Sequence, residues 1–166
     1  MNIPSYWHEV DTQDLLDYIP LYEANIKIMG AFISQHKEVI SPVIFYDYGH
    51  IGDDFINLYD QHLVTMAKIN KFIDGDPNNS DYEDTATDKP VFHKHITNSL
   101  GSFYVVVIEH FLQEGLSSYT VQIFFKKENR LFACQTTLPS FNVSNSEMEL
   151  CENKLILDIY KTLSQI

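Results

Sequence analysis

Two histidines that alternate along a short stretch, His93 and His95, are the side chains whose type and spacing most suggest metal chemistry. In an extended chain, alternate side chains point to the same face, so both imidazoles can approach one metal ion. A metal-assisted hydrolase needs at least one further ligand to hold an ion that activates water. The candidates for this ligand are Asp47, His50, Glu109 and His110. Nothing in the sequence brings them together, so we assign no metal or cofactor and keep the hydrolase as an alternative.

Three alternating polar residues, Asp74, Asp76 and Asn78, match the first ligand positions of an EF-hand calcium loop. That loop also requires Gly at its sixth position and a bidentate Glu at its twelfth. Asn79 and Thr85 stand at those positions here. The pattern therefore predicts a solvated acidic loop rather than a calcium site.

Other catalytic motifs are absent from the sequence. It contains no phosphate-binding loop, dinucleotide fingerprint, zincin helix or serine-hydrolase elbow. Its cysteines, Cys134 and Cys151, lie in segments of different predicted type without CxxC spacing, so neither a disulfide framework nor a cysteine nucleophile is indicated. We therefore expect a protein without catalytic residues.

The charge of the chain is strongly negative: 11 Lys and Arg stand against 23 Asp and Glu, a formal net charge of −12. This balance disfavours nucleic-acid phosphates and anionic lipid as ligands and favours a basic protein partner. We expect the contacts to come from acidic residues in two stretches of the chain. These residues are Asp47, Asp53, Asp54, Asp74, Asp76, Asp81, Glu83, Asp84 and Asp88.

With its acidity, its ten Tyr and eleven Phe and its lack of catalytic motifs, the chain resembles the small immunity proteins by which bacteria inhibit their own nuclease toxins, such as those of contact-dependent growth inhibition. The resemblance is one of general character. It implies a tight one-to-one complex in which carboxylates meet Lys and Arg near the toxin's active site and block its nucleic-acid substrate.

The N-terminus has neither a basic start nor an apolar run, so the sequence predicts no secretory signal and a cytoplasmic location. The most apolar window, residues 103–112, is far shorter than the ~20 residues that span a bilayer. A further alternative is a structural or adaptor subunit whose hairpin edge, around residues 126–130, pairs with a strand of another chain.

The spacing of apolar residues predicts several helices. One begins after Asp11, is interrupted at Pro20 and continues to about His36. A second follows Asp53 or Asp54 and extends over residues 55–73. A third begins at a capping box at residues 146–149 and continues to the C-terminus, where it packs on the sheet.

Alternating β-branched and aromatic residues predict strands. Residues 39–48 form one strand, which Pro42 places at an edge, and residues 119–138 form a β-hairpin that turns at 126–130. Residues 96–112 fit either a helix or a buried strand. The sequence thus predicts a single α+β domain over residues 1–166: an antiparallel, hairpin-containing sheet packed against several helices, with an acidic loop at 74–90.

Overall fold

The computed structural model describes residues 1–13, 27–36, 39–50, 89–113 and 115–166. Most of these residues belong to one antiparallel sheet with the strand order β1-β2-β3-β7-β6-β5-β4. The strands are β1 Trp7–Glu9, β2 Lys27–His36, β3 Val39–His50, β4 Lys89–Asn98, β5 Gly101–Gln113, β6 Leu116–Lys127 and β7 Arg130–Leu138. A 3₁₀ turn, Val143–Asn145, leads into two short helices, α1 Ser146–Glu152 and α2 Lys154–Ser164.

The predicted balance of helix and strand was wrong. The described part of the chain is dominated by its seven-stranded sheet, and its α-helices are the two short ones at the C-terminus. The expected continuation of a helix to His36 is instead β2, which pairs with β3 from Lys27↔Asp47 to His36↔Val39. The expected helices over residues 15–26 and 55–73 lie outside the described residues.

Residues 96–112, which fitted a helix or a strand, belong to the β4–β5 hairpin. In β5 six consecutive side chains, from Phe103 to Ile108, are buried. A strand that is buried on both faces loses the apolar–polar alternation that distinguishes strands, so its apolar residues also fall at helical spacing. This helical spacing explains why the sequence left the two structures open.

The predicted strand at residues 39–48 is confirmed as β3, but its place at an edge was wrong, because β3 lies between β2 and β7. Pro42, which suggested the edge, lies one position before the register with β7 begins at Val43↔Thr136. At Pro42 itself the strand therefore has β2 as its neighbour and lies beyond the β7 ladder, where a missing N–H is tolerated.

The predicted hairpin is confirmed: β6 and β7 pair from Tyr119↔Leu138 to Lys127↔Arg130 around a tight turn. The predicted C-terminal helix is confirmed in position but divided at Asn153. The backbone N–H of this residue donates to Glu149 O and ends α1, while its side chain accepts from the N–H groups of Leu155 and Ile156 and begins α2.

Each face of the sheet has its own buried cluster. On the face covered by α1 and α2, which we call the helix face, Phe45, Val105 and Ile123 pack with Ile156 and Ile159. The opposite face, which we call the second face, buries another set from the same strands. This set is Ala31, Ile44, Tyr46, Tyr104, Val106, Ile108, Phe124, Leu131 and Ala133. Consecutive side chains along one strand point to opposite faces and therefore belong to different clusters.

The strand order separates β3 from β4 by three strands, and the alternating antiparallel pairs make these two strands parallel to each other. β3 ends at His50, beside Arg130 and the β6–β7 turn. β4 begins at Lys89, opposite Glu109 and near the other end of the sheet. The described residues that flank the segment 51–88 are thus far apart, on a central strand and on an outer strand.

Candidate functional site

Negative charge is distributed unevenly along the chain. The described residues carry nine Asp and Glu against eight Lys and Arg, so they are almost neutral. Residues 51–88 carry nine acidic residues against two lysines, a net charge of −7 in one continuous stretch. Most of the acidic residues expected to contact a partner lie in this stretch and so outside the described residues: Asp53, Asp54, Asp74, Asp76, Asp81, Glu83, Asp84 and Asp88.

The remaining expected contact residue, Asp47, lies on β3 and is buried, with 9% of its surface exposed. Its carboxylate forms an ion pair with Arg130 at the β6–β7 turn and accepts a hydrogen bond of 2.8 Å from the N–H of Gly49. Gly49 follows a bulge in β3 and has φ +75, a left-handed conformation that glycine adopts without strain. The Asp47 charge is therefore largely neutralised within the fold, and its contact with a partner stays a prediction.

Other acidic side chains of the described sheet and helices are also paired with cations. Glu147 on α1 forms an ion pair with Lys94 on β4. Asp158 on α2 lies 3.4 Å from the ammonium groups of both Lys154 and Lys161. The Glu147 pair connects α1 to β4, whereas both pairs of Asp158 lie within α2. With nine acidic and eight basic residues, the described part of the chain has a formal net charge of −1.

A network that the sequence did not predict holds the N-terminal segment on α2. Tyr6 donates a hydrogen bond to Asp158, and Lys154 Nζ lies 4.0 Å from the centre of the Tyr6 ring. Burial raises the pKa of Asp158, but the hydrogen bond from Tyr6 and the charge of Lys154 outweigh it and lower this pKa overall. Tyr6 and Asp158 are 152 positions apart, so no local pattern could have indicated their contact.

The two histidines that the sequence singled out lie on β4, and both are exposed. As predicted for an extended chain, they share one face, because both contact Tyr104 of the second face. His95 is the cross-strand partner of Tyr104, and their rings meet edge to face with centroids 4.9 Å apart. His93 Nδ1 lies 3.5 Å from the Tyr104 hydroxyl.

The third ligand required for a hydrolase site is missing from the described residues. Within them, no three side chains of His, Cys, Asp or Glu are grouped to hold an ion. Asp47 forms an ion pair with Arg130, and its strand, β3, is separated from β4 by three other strands of the sheet. His110 lies 2.7 Å from Thr120 Oγ1, and Glu109 accepts from Tyr119 on the helix face. Among the described residues these side chains therefore do not supply the third ligand, and the hydrolase alternative stays a prediction.

Two further expectations are tested by the positions of residues in the sheet. The turn at residues 126–130 joins β6 to β7, and both strands have neighbours on each side, so the hairpin does not form the proposed free edge. Cys134 is fully buried, and burial raises the pKa of its thiol well above the ordinary value, which disfavours the reactive thiolate. This agrees with a structural cysteine.

Comparison with known proteins gives no family. The chain matches no protein-family model and no curated protein. Among solved structures it is similar to the solution structure of cyanobacterial PsbP (CyanoP) from Synechocystis sp. PCC 6803, with a TM-score of 0.48 and 11% identity over 98% of this chain and 81% of that chain. The similarity is too low to support an argument about function. In the described ranges, no helix is long and apolar enough to cross a membrane.

Proposed function

We propose that this chain is a non-catalytic inhibitor that binds a basic protein, and that its partner is a nuclease-type bacterial toxin neutralised in the cytosol. The observation that carries the proposal is the concentration of charge: residues 51–88 have a net charge of −7, whereas the described residues are almost neutral. A general solubilising charge has no reason to be concentrated in one stretch of sequence, whereas residues 51–88 carry −7 of the total of −12. A basic surface, in contrast, is bound best by carboxylates that are close together.

The ion pairs of the described residues support the same division of roles. Asp47, Glu147 and Asp158 are each paired with a cation of the same chain, so they stabilise the sheet and its helices. Of the twenty carboxylates that remain, nine lie in the single stretch of residues 51–88. In this proposal the sheet is the scaffold, and the acidic stretch between β3 and β4 supplies the binding charge.

Binding of this kind has a defined physical signature. Opposite charges on two proteins accelerate their association, by about tenfold or more at low salt, and the acceleration falls as ionic strength shortens the Debye length. In the complex, the acidic stretch occupies the basic surface that the toxin uses for nucleic acid. Inhibition is therefore competitive with the nucleic-acid substrate, and the inhibitor performs no chemistry.

The experiment compares two variants that lose the same charge at different places. In the first, the four acids at the end of the stretch are changed: Asp81→Asn, Glu83→Gln, Asp84→Asn and Asp88→Asn. In the second, four acids of the described surface that are outside the ion pairs are changed: Glu9→Gln, Glu128→Gln, Glu149→Gln and Glu152→Gln. Each tagged protein captures partners from its native host, and the captured partner is purified and assayed as a nuclease with and without the chain.

We expect the wild type and the second variant to retain a basic nuclease that is released by high salt and inhibited by the chain. The first variant should associate with it about tenfold more slowly. Equal loss in both variants would show that net charge alone acts. Capture of a partner whose activity the chain leaves unchanged would refute the inhibitor proposal.

A further inference from the structure

We propose that His93 and His95 form a two-imidazole chelate for a divalent late transition-metal ion, with Cu²⁺ bound most tightly. This proposal does not depend on the proposed function. The first argument is backbone geometry. Side chains two residues apart on a strand leave the same face about 7 Å apart, a span that two imidazoles can close around an ion with metal–nitrogen distances of about 2 Å.

The second argument is that both rings contact the same buried side chain. Tyr104 is 8% exposed and belongs to the buried cluster of the second face. Its ring contacts the ring of His95, and its hydroxyl lies 3.5 Å from His93 Nδ1. A metal-binding histidine typically uses one ring nitrogen for the ion and the other for such an orienting contact. With Nδ1 of His93 facing Tyr104, Nε2 is the nitrogen available to a metal.

The third argument concerns the residue between the two histidines. Lys94 points to the opposite face of β4, where it forms an ion pair with Glu147 on α1. Its positive charge is therefore directed away from the two imidazoles and is partly compensated, so it does not strongly repel a cation at the chelate.

The number and type of ligands determine which metal the site selects. Two neutral imidazoles suit Cu²⁺, Ni²⁺ and Zn²⁺, whereas clustered carboxylates suit Mg²⁺, Ca²⁺ and Mn²⁺. Affinity for one set of nitrogen ligands rises to a maximum at Cu²⁺. With no third protein ligand grouped among the described residues, water completes the coordination. The site is thus an open one.

The test is titration of the full-length protein with Cu²⁺ alone, followed by calorimetry and by electron paramagnetic resonance, which detects the nitrogen ligands. We expect one ion per chain with two nitrogens. His93→Asn and His95→Asn should each weaken this binding by more than the 10–100-fold that loss of an orienting partner typically costs. Tyr104→Phe removes the hydroxyl and keeps the ring, and it should weaken binding by about 10-fold.

The matched control is His8→Asn. His8 is also an exposed strand histidine, but it lies on β1, at the opposite end of the strand order from β4. It should leave the Cu²⁺ affinity unchanged. Equal losses in His8→Asn and His93→Asn, or nitrogen signals that persist when His93 and His95 are both Asn, would overturn the proposal. A stoichiometry of one ion per two chains would also overturn it, because the ion would then bridge two copies.

Discussion

Removal of the hydroxyl group of Tyr160 should make the protein more stable. Tyr160 lies on α2 at the centre of the helix-face cluster, is 1% exposed, and packs with its ring centroid 4.6 Å from that of Phe103. Its hydroxyl is buried without a hydrogen-bond partner in the part of the chain that the structure describes. A donor that loses water on folding and gains no partner costs about 1–3 kcal/mol. Tyr160→Phe removes this cost and keeps the ring.

The size of the effect follows from what the substitution changes. It leaves a gap of one oxygen atom, which offsets part of the gain, so we expect the free energy of unfolding to rise by about 1 kcal/mol. For a chain of this length, that corresponds to an increase in Tm of about 2–4 °C. Tyr6→Phe is the matched control, because it removes the same atom where the hydroxyl donates to Asp158. It should lower the free energy of unfolding by about 1 kcal/mol.

The assay is urea denaturation at pH 7, monitored by circular dichroism, with unchanged m values as evidence that the native state is preserved. The result that supports the reasoning is a pair of opposite shifts from one chemical change. A clear loss of stability in Tyr160→Phe would refute it, because the hydroxyl would then have a partner in the folded protein. Equal shifts in both variants would show that the hydrogen-bonding state of the hydroxyl does not determine the effect of its removal.

Two further predictions test other features of the fold. Asn153→Ala should lower the free energy of unfolding by about 1 kcal/mol in urea, because Asn153 caps α2 through hydrogen bonds of 3.0 and 3.3 Å; Asn153→Asp keeps an accepting oxygen, and a loss as large as that of Ala would contradict the capping role. Burial raises the pKa of Tyr46 to about 12, so above pH 10 this side chain ionises in the unfolded state while it stays largely protonated in the folded state, and it should account for a loss of about 2 kcal/mol by pH 12. Tyr46→Phe should lose correspondingly less between pH 10 and 12, and superimposable pH profiles would count against this assignment.

The sequence predicted elements correctly where one face of an element differs from the other or where a turn is marked. The β6–β7 hairpin has a polar turn between two apolar runs, and the C-terminal helices have an apolar stripe on one side. It failed for β2 and left β5 open because the apolar residues of both strands also fall at helical spacing. Burial on both faces is not sufficient to explain this, since β3 and β7 share it and were predicted as strands. In β2, Ala31 and Phe32 are adjacent and both buried, on opposite faces. Such a strand lacks the alternation of apolar and polar residues by which a half-buried strand is recognised in a sequence.

For the candidate sites, too, local patterns could be predicted from the sequence, whereas contacts between distant residues could not. The stretch of negative charge and the alternation of His93 with His95 are local, so both could be read from the sequence. The partners of individual side chains could not. Asp47 looked like a surface acid until the fold placed Arg130, 83 positions later, beside it. Likewise, nothing local indicated that Tyr104 lies between the two histidines and the interior of the sheet.

The position of β7 also has a consequence for the order in which the protein is made. β7 lies between β3 and β6, so without it the described strands form two separate groups, β1–β3 and β4–β6, with no ladder between them. At ~5–20 residues per second, translation from the end of β3 to the end of β7 takes on the order of 10 s. For that interval the nascent chain exposes the edge of β3, and once residue 127 is made it also exposes the edge of β6; such edges are the surfaces most prone to mispairing. The strand that joins them should therefore set the pace of folding, and a chain that ends before residue 130 should depend on chaperones and be prone to aggregation.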